Sequence, residues 1–240
     1  MKKNSLLSSI FAVSSALMMV SSASAGPLYL FETTQPAGTT SLFTAVGTFN
    51  FGNQKARLEA AGQTTLQGGN PGNGWWGDGT PTTAGTTPVR SWEVTWNNSL
   101  GLVAFDVYAS SDWTGTAAMS MGRMPVFTAG NTLLGLDIGA RLTSTTQSVT
   151  IANVQFDGVS GYVPVPTANA TYSGSAFFND YHALLGGTLG DFKLRGTTLF
   201  PTGTTTGDSM RFFVDARQGA APTSVPDGGT TIALLVGALM

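Results

Sequence analysis

Two adjacent tryptophans in a glycine-rich stretch are the first side chains whose type and setting indicate binding chemistry. Trp75 and Trp76 lie between residues 63 and 88, a Gly-, Thr- and Pro-rich segment that is expected to form a long loop. Aromatic rings can stack on a sugar ring while nearby amide and carboxylate groups bond its hydroxyls. Trp113, next to Asp112, offers the same chemistry more weakly. Alternatively, one ring of the pair folds back onto the body, because adjacent side chains in an extended chain point in opposite directions.

Nucleophilic catalysis has little support in the sequence. Gly207, Asp208 and Ser209 are similar to the nucleophile block of some serine esterases, but a strand-like segment follows them instead of a helix. His182 is the only histidine that could act as their base, and it is expected at the surface or at a sheet edge. We therefore predict a turn before the last strand and no catalytic residue. A pair of carboxylates that meet only in the folded protein stays an open alternative.

Scattered aspartates raise the question of calcium, because loop carboxylates and carbonyls suit a hard cation. None of them follows the Asp-x-Asp-x-Asp spacing of a calcium loop, so neither a metal site nor any other cofactor is predicted. The candidates are Asp78, Asp106, Asp112, Asp137 and Asp157.

Composition narrows the function classes further. Charged residues make up 10% of the 240 residues and the net charge is −2, whereas an average soluble domain is about 25% charged. A mildly acidic chain without Lys/Arg runs does not attract nucleic acid. The absence of cysteine excludes disulfides and thiolate-bound metals. Abundant Gly and Thr favour short strands joined by tight turns.

The first 25 residues have the three parts of a secretory signal peptide. Two lysines begin it, and residues 6–20 form a short apolar run softened by serines. Ala23 and Ala25 provide the small-x-small site that signal peptidase requires, so cleavage leaves Gly26 at the new N-terminus. The apolar run is shorter than the ~20 residues of a membrane span.

The last 16 residues combine a short Pro-acidic motif with an apolar run. The motif consists of Val225, Pro226, Asp227, Gly228 and Gly229. It resembles the C-terminal signal of the PEP-CTERM/VPDSG-CTERM sorting families of Gram-negative, exopolysaccharide-producing bacteria, with Gly228 in place of the usual Ser. The apolar run over 232–240 is shorter than a span and no basic cluster follows it, so the tail is expected to be truncated or degenerate.

The resemblance implies processing by an exosortase-type membrane enzyme after transient insertion of the tail in the bilayer. An apolar helix would halt the exported chain, and the Pro-containing motif would stay extended and accessible.

Alternating apolar and polar residues predict antiparallel strands in the body. Trp92, Val94 and Trp96 are expected on one face of a strand, followed by a turn and a returning strand over 100–108. The alternation over 149–156 changes phase, as a bulge near Asn153 would require. Helix is limited to two turns over 179–185. Further strands are predicted over 28–31, 42–51, 116–121, 133–138, 176–178, 192–194 and 210–214.

The sequence thus predicts an all-β protein with four parts. These are a signal peptide (1–25), a single antiparallel β-sandwich or jelly-roll-like domain (26–219), a linker (220–224) and an apolar sorting tail (225–240).

The first functional hypothesis is a non-enzymatic structural or adhesive protein of the bacterial cell surface or exopolysaccharide matrix. The alternative is a carbohydrate-binding module that uses Trp75, Trp76 and Trp113, and a secreted hydrolase is a third. Expected partners are signal peptidase, an exosortase-type enzyme and extracellular polysaccharide.

Overall fold

The computed structural model describes residues 30–49, 55–68, 89–108, 112–115, 117, 119–158, 161–184, 188–200 and 210–220. The predicted signal peptide with Ala23, Ala25 and Gly26 lies outside the described residues. So do Trp75, Trp76, the segment 207–209 and the sorting motif over 225–229.

The described residues form fourteen strands in two antiparallel sheets, so the all-β prediction is confirmed. In chain order, the strands are β1 (Phe31–Glu32), β2 (Thr40–Phe49), β3 (Lys55–Ala60), β4 (Leu66–Gly68), β5 (Val89–Asn97), β6 (Leu102–Val107), β7 (Met119–Arg123), β8 (Asn131–Arg141), β9 (Ser148–Asp157), β10 (Val163–Pro164), β11 (Ala170–Ser173), β12 (Phe177–Ala183), β13 (Phe192–Leu199) and β14 (Met210–Ala220). Sheet I has the order β1-β12-β8-β14-β2-β3-β4. Sheet II has the order β10-β9-β13-β5-β6-β7, and β11 also pairs with β9.

The inner faces of the two sheets meet in an aromatic core. Trp92 on β5 stacks on Phe212 of β14 with ring centroids 5.3 Å apart, and Trp96 stacks on Phe43 of β2 at 5.8 Å. Trp92, Val94 and Trp96 are all fully buried, which confirms the face that their alternation predicts.

Gly196 on β13 makes room for the largest of these rings. It lies directly opposite Trp92 in the β5–β13 ladder, and a Cβ atom there would come within 2.5 Å of the Trp92 ring. The indole Nε1 then donates to Thr198 Oγ1 at 2.9 Å, so the buried polar atom has a partner.

The predicted bulge is present at Asn153, whose φ is +52°. Between Ala152 and Gln155, the β9–β13 register shifts by one residue, so β9 has two residues where β13 has Gly196 alone. As a result, the apolar residues on both sides of the bulge face the core, and Val149, Ile151, Val154 and Phe156 are all buried.

Three predictions about the chain are wrong. Residues 179–183, part of the segment 179–185 to which helix was limited at two turns, lie in strand β12 instead, and the described residues contain only one short helix, the 3-10 turn Pro166–Ala168. His182 is completely buried instead of lying at the surface. Ala220, expected to begin the linker, is the last residue of β14 and pairs with Asn131, because β8 extends that far.

Several strand bounds also differ, and β3, β4, β10 and β11 were not predicted. These four strands are short or lie at sheet edges, where sequence alternation is weak. No helix in the described part of the chain is long and apolar enough to cross a membrane.

Candidate functional site

A row of polar side chains crosses the outer face of sheet II. Because Trp92 and Val94 point inward, Glu93 between them points outward. The strand register places Glu93 opposite Asp106 on β6 and Arg195 on β13, and Arg195 opposite Gln155 on β9. Asp106 is in turn opposite Ser120 on β7, so the row spans five strands.

The guanidinium of Arg195 is the centre of this surface, because it lies between two aromatic rings. Its Cζ atom is 3.5 Å from the ring centroid of Tyr162 and 4.3 Å from that of Trp113. Its Nε and Nη2 atoms both donate to Gln155 Oε1, at 3.0 and 2.8 Å. Stacking on two rings and a double hydrogen bond together fix a side chain that is otherwise flexible.

Trp113 is held against the outside of β5 by bonds to the main chain. Its Nε1 donates to the carbonyl oxygen of Trp92 at 3.0 Å. The neighbouring Asp112 carbonyl accepts from Ser91 Oγ at 2.7 Å, and the Asp112 carboxylate accepts from the Thr114 hydroxyl at 2.6 Å. The segment thus leaves a half-exposed indole on the surface in one fixed orientation.

The second ring, Tyr162, is tied to the polar row by its hydroxyl. Tyr162 Oη donates to Glu93 Oε2 at 2.5 Å. Burial, this hydrogen bond and the Glu93 charge all raise the pKa of Tyr162. Burial raises the pKa of nearby Tyr108 as well, with the charges of Glu93 and Asp106 adding to it and that of Arg195 opposing it. Both phenols are therefore neutral donors at physiological pH.

We call the set Trp113, Tyr162, Arg195, Glu93, Asp106 and Gln155 the aromatic-polar surface. It combines half-exposed rings with carboxylate, amide and guanidinium groups that are already in place. A sugar ring has an apolar C–H face and a rim of hydroxyls that both donate and accept. The chemistry of this surface matches both features.

A second polar cluster lies on the outer face of sheet I. Arg217 contacts two carboxylates, with Nε 3.3 Å from Asp137 Oδ2 and Nη1 2.8 Å from Asp215 Oδ2. Asp215 also accepts from the hydroxyls of Ser41 and Thr44, at 2.5 and 3.1 Å. The fold therefore brings together two carboxylates, which the sequence could not show.

Burial shifts both of these carboxyl groups. It raises the pKa of Asp137 to about 6, against the lowering effect of Arg217, and it raises that of Asp215 as well. The Asp137 side chain is only 3% exposed. A polymer could not reach it, so this pair lacks the access that a hydrolase site needs.

Of the five aspartates considered as calcium ligands, Asp78 lies outside the described residues, and the other four lie in different settings. Asp106 belongs to the aromatic-polar surface, Asp112 bonds its own turn, and Asp137 lies in sheet I. Asp157 accepts from the Gly161 backbone N–H at 3.0 Å. Among the described residues, no group of three His, Asp or Glu side chains is placed to hold a metal ion.

Sequence reasoning found Trp113 but missed its companions. Arg195 lies between Leu194 and Gly196 in a short strand, and alternation alone could have placed it on the outer face. Nothing in the sequence shows that Trp113 and Tyr162 converge on it, because the segments are joined only through pairing with β5 and β9. No model of a known protein family matches this chain, and no curated protein matches it either.

Proposed function

We propose that this chain is an exported, non-enzymatic protein of the bacterial cell surface or exopolysaccharide matrix that binds polysaccharide on the aromatic-polar surface. One observation carries the binding part of the proposal: the Arg195 guanidinium is fixed between the rings of Trp113 and Tyr162, in line with Glu93 and Gln155. Such an arrangement supports a structural or adhesive role through contact with sugars.

Pre-organisation is the physical reason for favouring a binding role. Ordering long side chains on binding costs about 0.5–1.5 kcal/mol for each of them. Here Arg195 is held by two rings and Gln155, and Tyr162 by Glu93, before any ligand arrives. A ligand therefore meets a surface whose ordering is already complete.

A binding role also agrees better than hydrolysis with the state of the carboxylates. Asp137 and Asp215 share Arg217, and their side chains are only 3% and 15% exposed. Glu93 is engaged by the Tyr162 hydroxyl instead of facing an open cleft. Trp75 and Trp76, which lie outside the described residues, stay candidates for the same binding role on the basis of the sequence.

The proposed export and sorting of the protein rest on its N-terminal and C-terminal sequences. Signal peptidase would remove residues 1–25, and an exosortase-type enzyme would process the motif over 225–229 after transient membrane insertion. The last described strand ends at Ala220, so the motif follows the folded body by only a few residues. The facing aromatic cores of the two sheets support the sandwich fold, and the jelly-roll-like detail stays a prediction.

The test is a titration of the secreted protein with a panel of neutral polysaccharides, followed by affinity electrophoresis and tryptophan fluorescence. Trp92 and Trp96 are buried, so a spectral change on binding reports Trp113, Trp75 or Trp76. We expect Trp113→Ala to weaken binding of at least one polymer tenfold or more. Leu100→Ala is the matched control, because Leu100 is 59% exposed in the β5–β6 turn.

Arg195→Lys sharpens this test, because it keeps the charge but removes the planar group that stacks on both rings. We expect it to weaken binding as well. Unchanged affinity of both variants, with every polymer that the wild-type protein binds, would disprove this role for sheet II.

A further inference from the structure

The outer face of sheet I, on the opposite side of the molecule, carries a patch of arginines that the proposed function does not use. On the outer face of sheet I, Arg211 of β14 lies directly opposite Arg141 of β8, and Arg141 lies opposite Phe177 of β12. One row along the strands, Arg57 of β3 pairs with Val46, which in turn is opposite Phe213. Three arginines therefore occupy two adjacent rows of one face.

The aromatic part of this patch is exposed although it is well packed. Phe177 stacks on Phe213 with ring centroids 5.0 Å apart and an interplanar angle of 10°. Phe213 is buried, and it lies over Gly139, where a Cβ atom would come within 2.8 Å of its ring. Phe177 on top of it is still 64% exposed.

Like charges face one another on this patch. Within the part of the chain that the structure describes, the Glu59 carboxylate contacts Arg57, with 2.8 Å between Oε1 and Nε. The pKa of Arg211 is lowered by burial and then by the charges of Arg57 and Arg141, with Glu59 acting in the opposite direction. An anion that binds there relieves the repulsion among the three guanidinium groups.

We propose that this patch, formed by Arg57, Arg141, Arg211 and Phe177, binds the carboxylate groups of an acidic polysaccharide. Guanidinium forks bind carboxylates through two parallel hydrogen bonds. Adjacent strands are about 4.8 Å apart, so Arg141 and Arg211 can hold neighbouring acidic groups of one polymer. Phe177 beside them offers an apolar contact for a sugar ring.

The negative net charge of the protein favours a partner whose own negative charges are widely spaced. Duplex DNA carries one charge for about every 1.7 Å of its axis. The net charge of the chain is −2, so its overall charge opposes binding of so dense a polyanion. A polymer with one carboxylate per sugar gains the local contacts at a much smaller long-range cost.

The experiment compares polygalacturonate with its fully methyl-esterified form, which has the same backbone without the charge. The full secreted chain should bind the charged polymer at least tenfold more tightly, and added salt should reduce that difference. R141Q/R211Q and Phe177→Ala should both weaken binding of polygalacturonate. Leu100→Ala should not.

Because Arg141 is exposed, Arg141→Glu alone serves if the double variant fails to fold. Wild-type affinity for polygalacturonate in these variants would overturn the proposal, as would equal affinity of the wild-type protein for both polymers. Equal or tighter binding of a single-stranded oligonucleotide or of anionic phospholipid vesicles through the same residues would overturn it too.

The two proposals fail independently. Trp113→Ala should leave the preference for the charged polymer over the esterified one intact, because Trp113 lies on the other sheet. A loss of that preference in Trp113→Ala but not in R141Q/R211Q would move acidic binding to sheet II and disprove the site on sheet I.

Discussion

Asp137 lies directly opposite Asp215 across the β8–β14 ladder, and the two carboxylates share the guanidinium of Arg217. One cation cannot fully compensate two buried anions. Burial therefore dominates and raises the pKa of Asp137 to about 6, from 3.8, with the charge of Asp215 adding to the shift. Asp137 therefore binds a proton more readily in the folded protein than in the unfolded chain, so the free energy of unfolding depends on pH.

Asp137→Asn should change how stability depends on pH. Between pH 3.8 and about 6, the folded protein keeps a proton on Asp137 that the unfolded chain has lost, so stability falls as pH rises through this window. The amide removes this loss and leaves Arg217 paired with Asp215. Relative to wild type, we expect the variant to gain on the order of 1–3 kcal/mol between pH 4 and pH 7.5.

Urea unfolding at a series of pH values measures this gain. A difference in the free energy of unfolding between variant and wild type that stays constant from pH 4 to pH 7.5 would contradict the assignment.

His182→Leu should have the opposite effect. His182 is fully buried, neither ring nitrogen has a hydrogen-bond partner among the described residues, and burial lowers its pKa, with Asp180 opposing. Below pH 6.5, the unfolded chain binds a proton that the folded protein resists, so stability falls on acidification. An apolar residue avoids this loss, so the variant should gain stability relative to wild type as pH falls from 7.5 to 5.

The same unfolding series tests this variant. The His182 and Asp137 effects have opposite signs and overlap below pH 6, so they partly cancel in wild type. Each single exchange should therefore tilt the stability profile in its own direction. Parallel profiles for both variants would show that neither group titrates as described.

Gly196→Ala should destabilise the core through one contact. The new methyl group would lie within 2.5 Å of the Trp92 ring, so we expect a loss of about 1–3 kcal/mol from overpacking. Trp92→Ala alone should cost about 3–5 kcal/mol. Because Phe lacks the part of the ring that Gly196 faces, G196A should cost less in a Trp92→Phe background.

Thermal unfolding of the four proteins in this cycle gives the coupling energy. Gly190→Ala is the matched control, since no heavy atom lies within 4 Å of a Cβ placed there. Additive effects of W92F and G196A would mean that the two residues do not compete for space.

Export should remove residues 1–25, because Ala23 and Ala25 fit the small subsites of signal peptidase. Mass spectrometry of secreted protein should find Gly26 at the N-terminus. Mature protein that retains the two N-terminal lysines would refute the signal-peptide prediction.

The test uses a cell that has an exosortase and a form of the protein whose sorting tail is full-length. In that cell, removal of residues 225–240 should release the body into the medium. The resemblance of the motif implies that this segment retains the protein at the envelope. Substituting Pro226 and Asp227 by Ala should have the same effect if the motif itself is read. Unchanged retention of both variants would refute the sorting assignment.

The sequence predicted those elements in which one face is apolar. The alternation around Trp92 and the phase change near Asn153 placed a core strand and a bulge correctly. Only the start of strand β12 was predicted, because both of its faces mix polar and apolar residues, as in Tyr181 and His182. Pairing with β8 decides its conformation, and pairing is not visible in the local sequence.

The aromatic-polar surface was only partly predictable for a related reason. Trp113 is conspicuous in a polar segment, but the meaning of Arg195 depends on rings that come from distant parts of the chain. The same holds for the two carboxylates around Arg217. To predict a site that forms by strand pairing, one must know the register of the strands. The sequence constrains that register only where one face of a strand is clearly apolar.

Asn153, the bulge residue, is not needed to keep the core residues of β9 buried, but it is needed to position the aromatic-polar surface. If Asn153 were deleted, Val149, Ile151, Val154 and Phe156 would alternate without interruption, so the buried set would survive the loss. The extra bend and twist of β9 would disappear with it. Gln155 and the following β10, which brings Tyr162 over Arg195, would then shift relative to Trp113. Deletion of this one residue would thus keep the fold but change the binding surface. Among proteins with this fold, a difference of one residue at this position could change which ligand is bound.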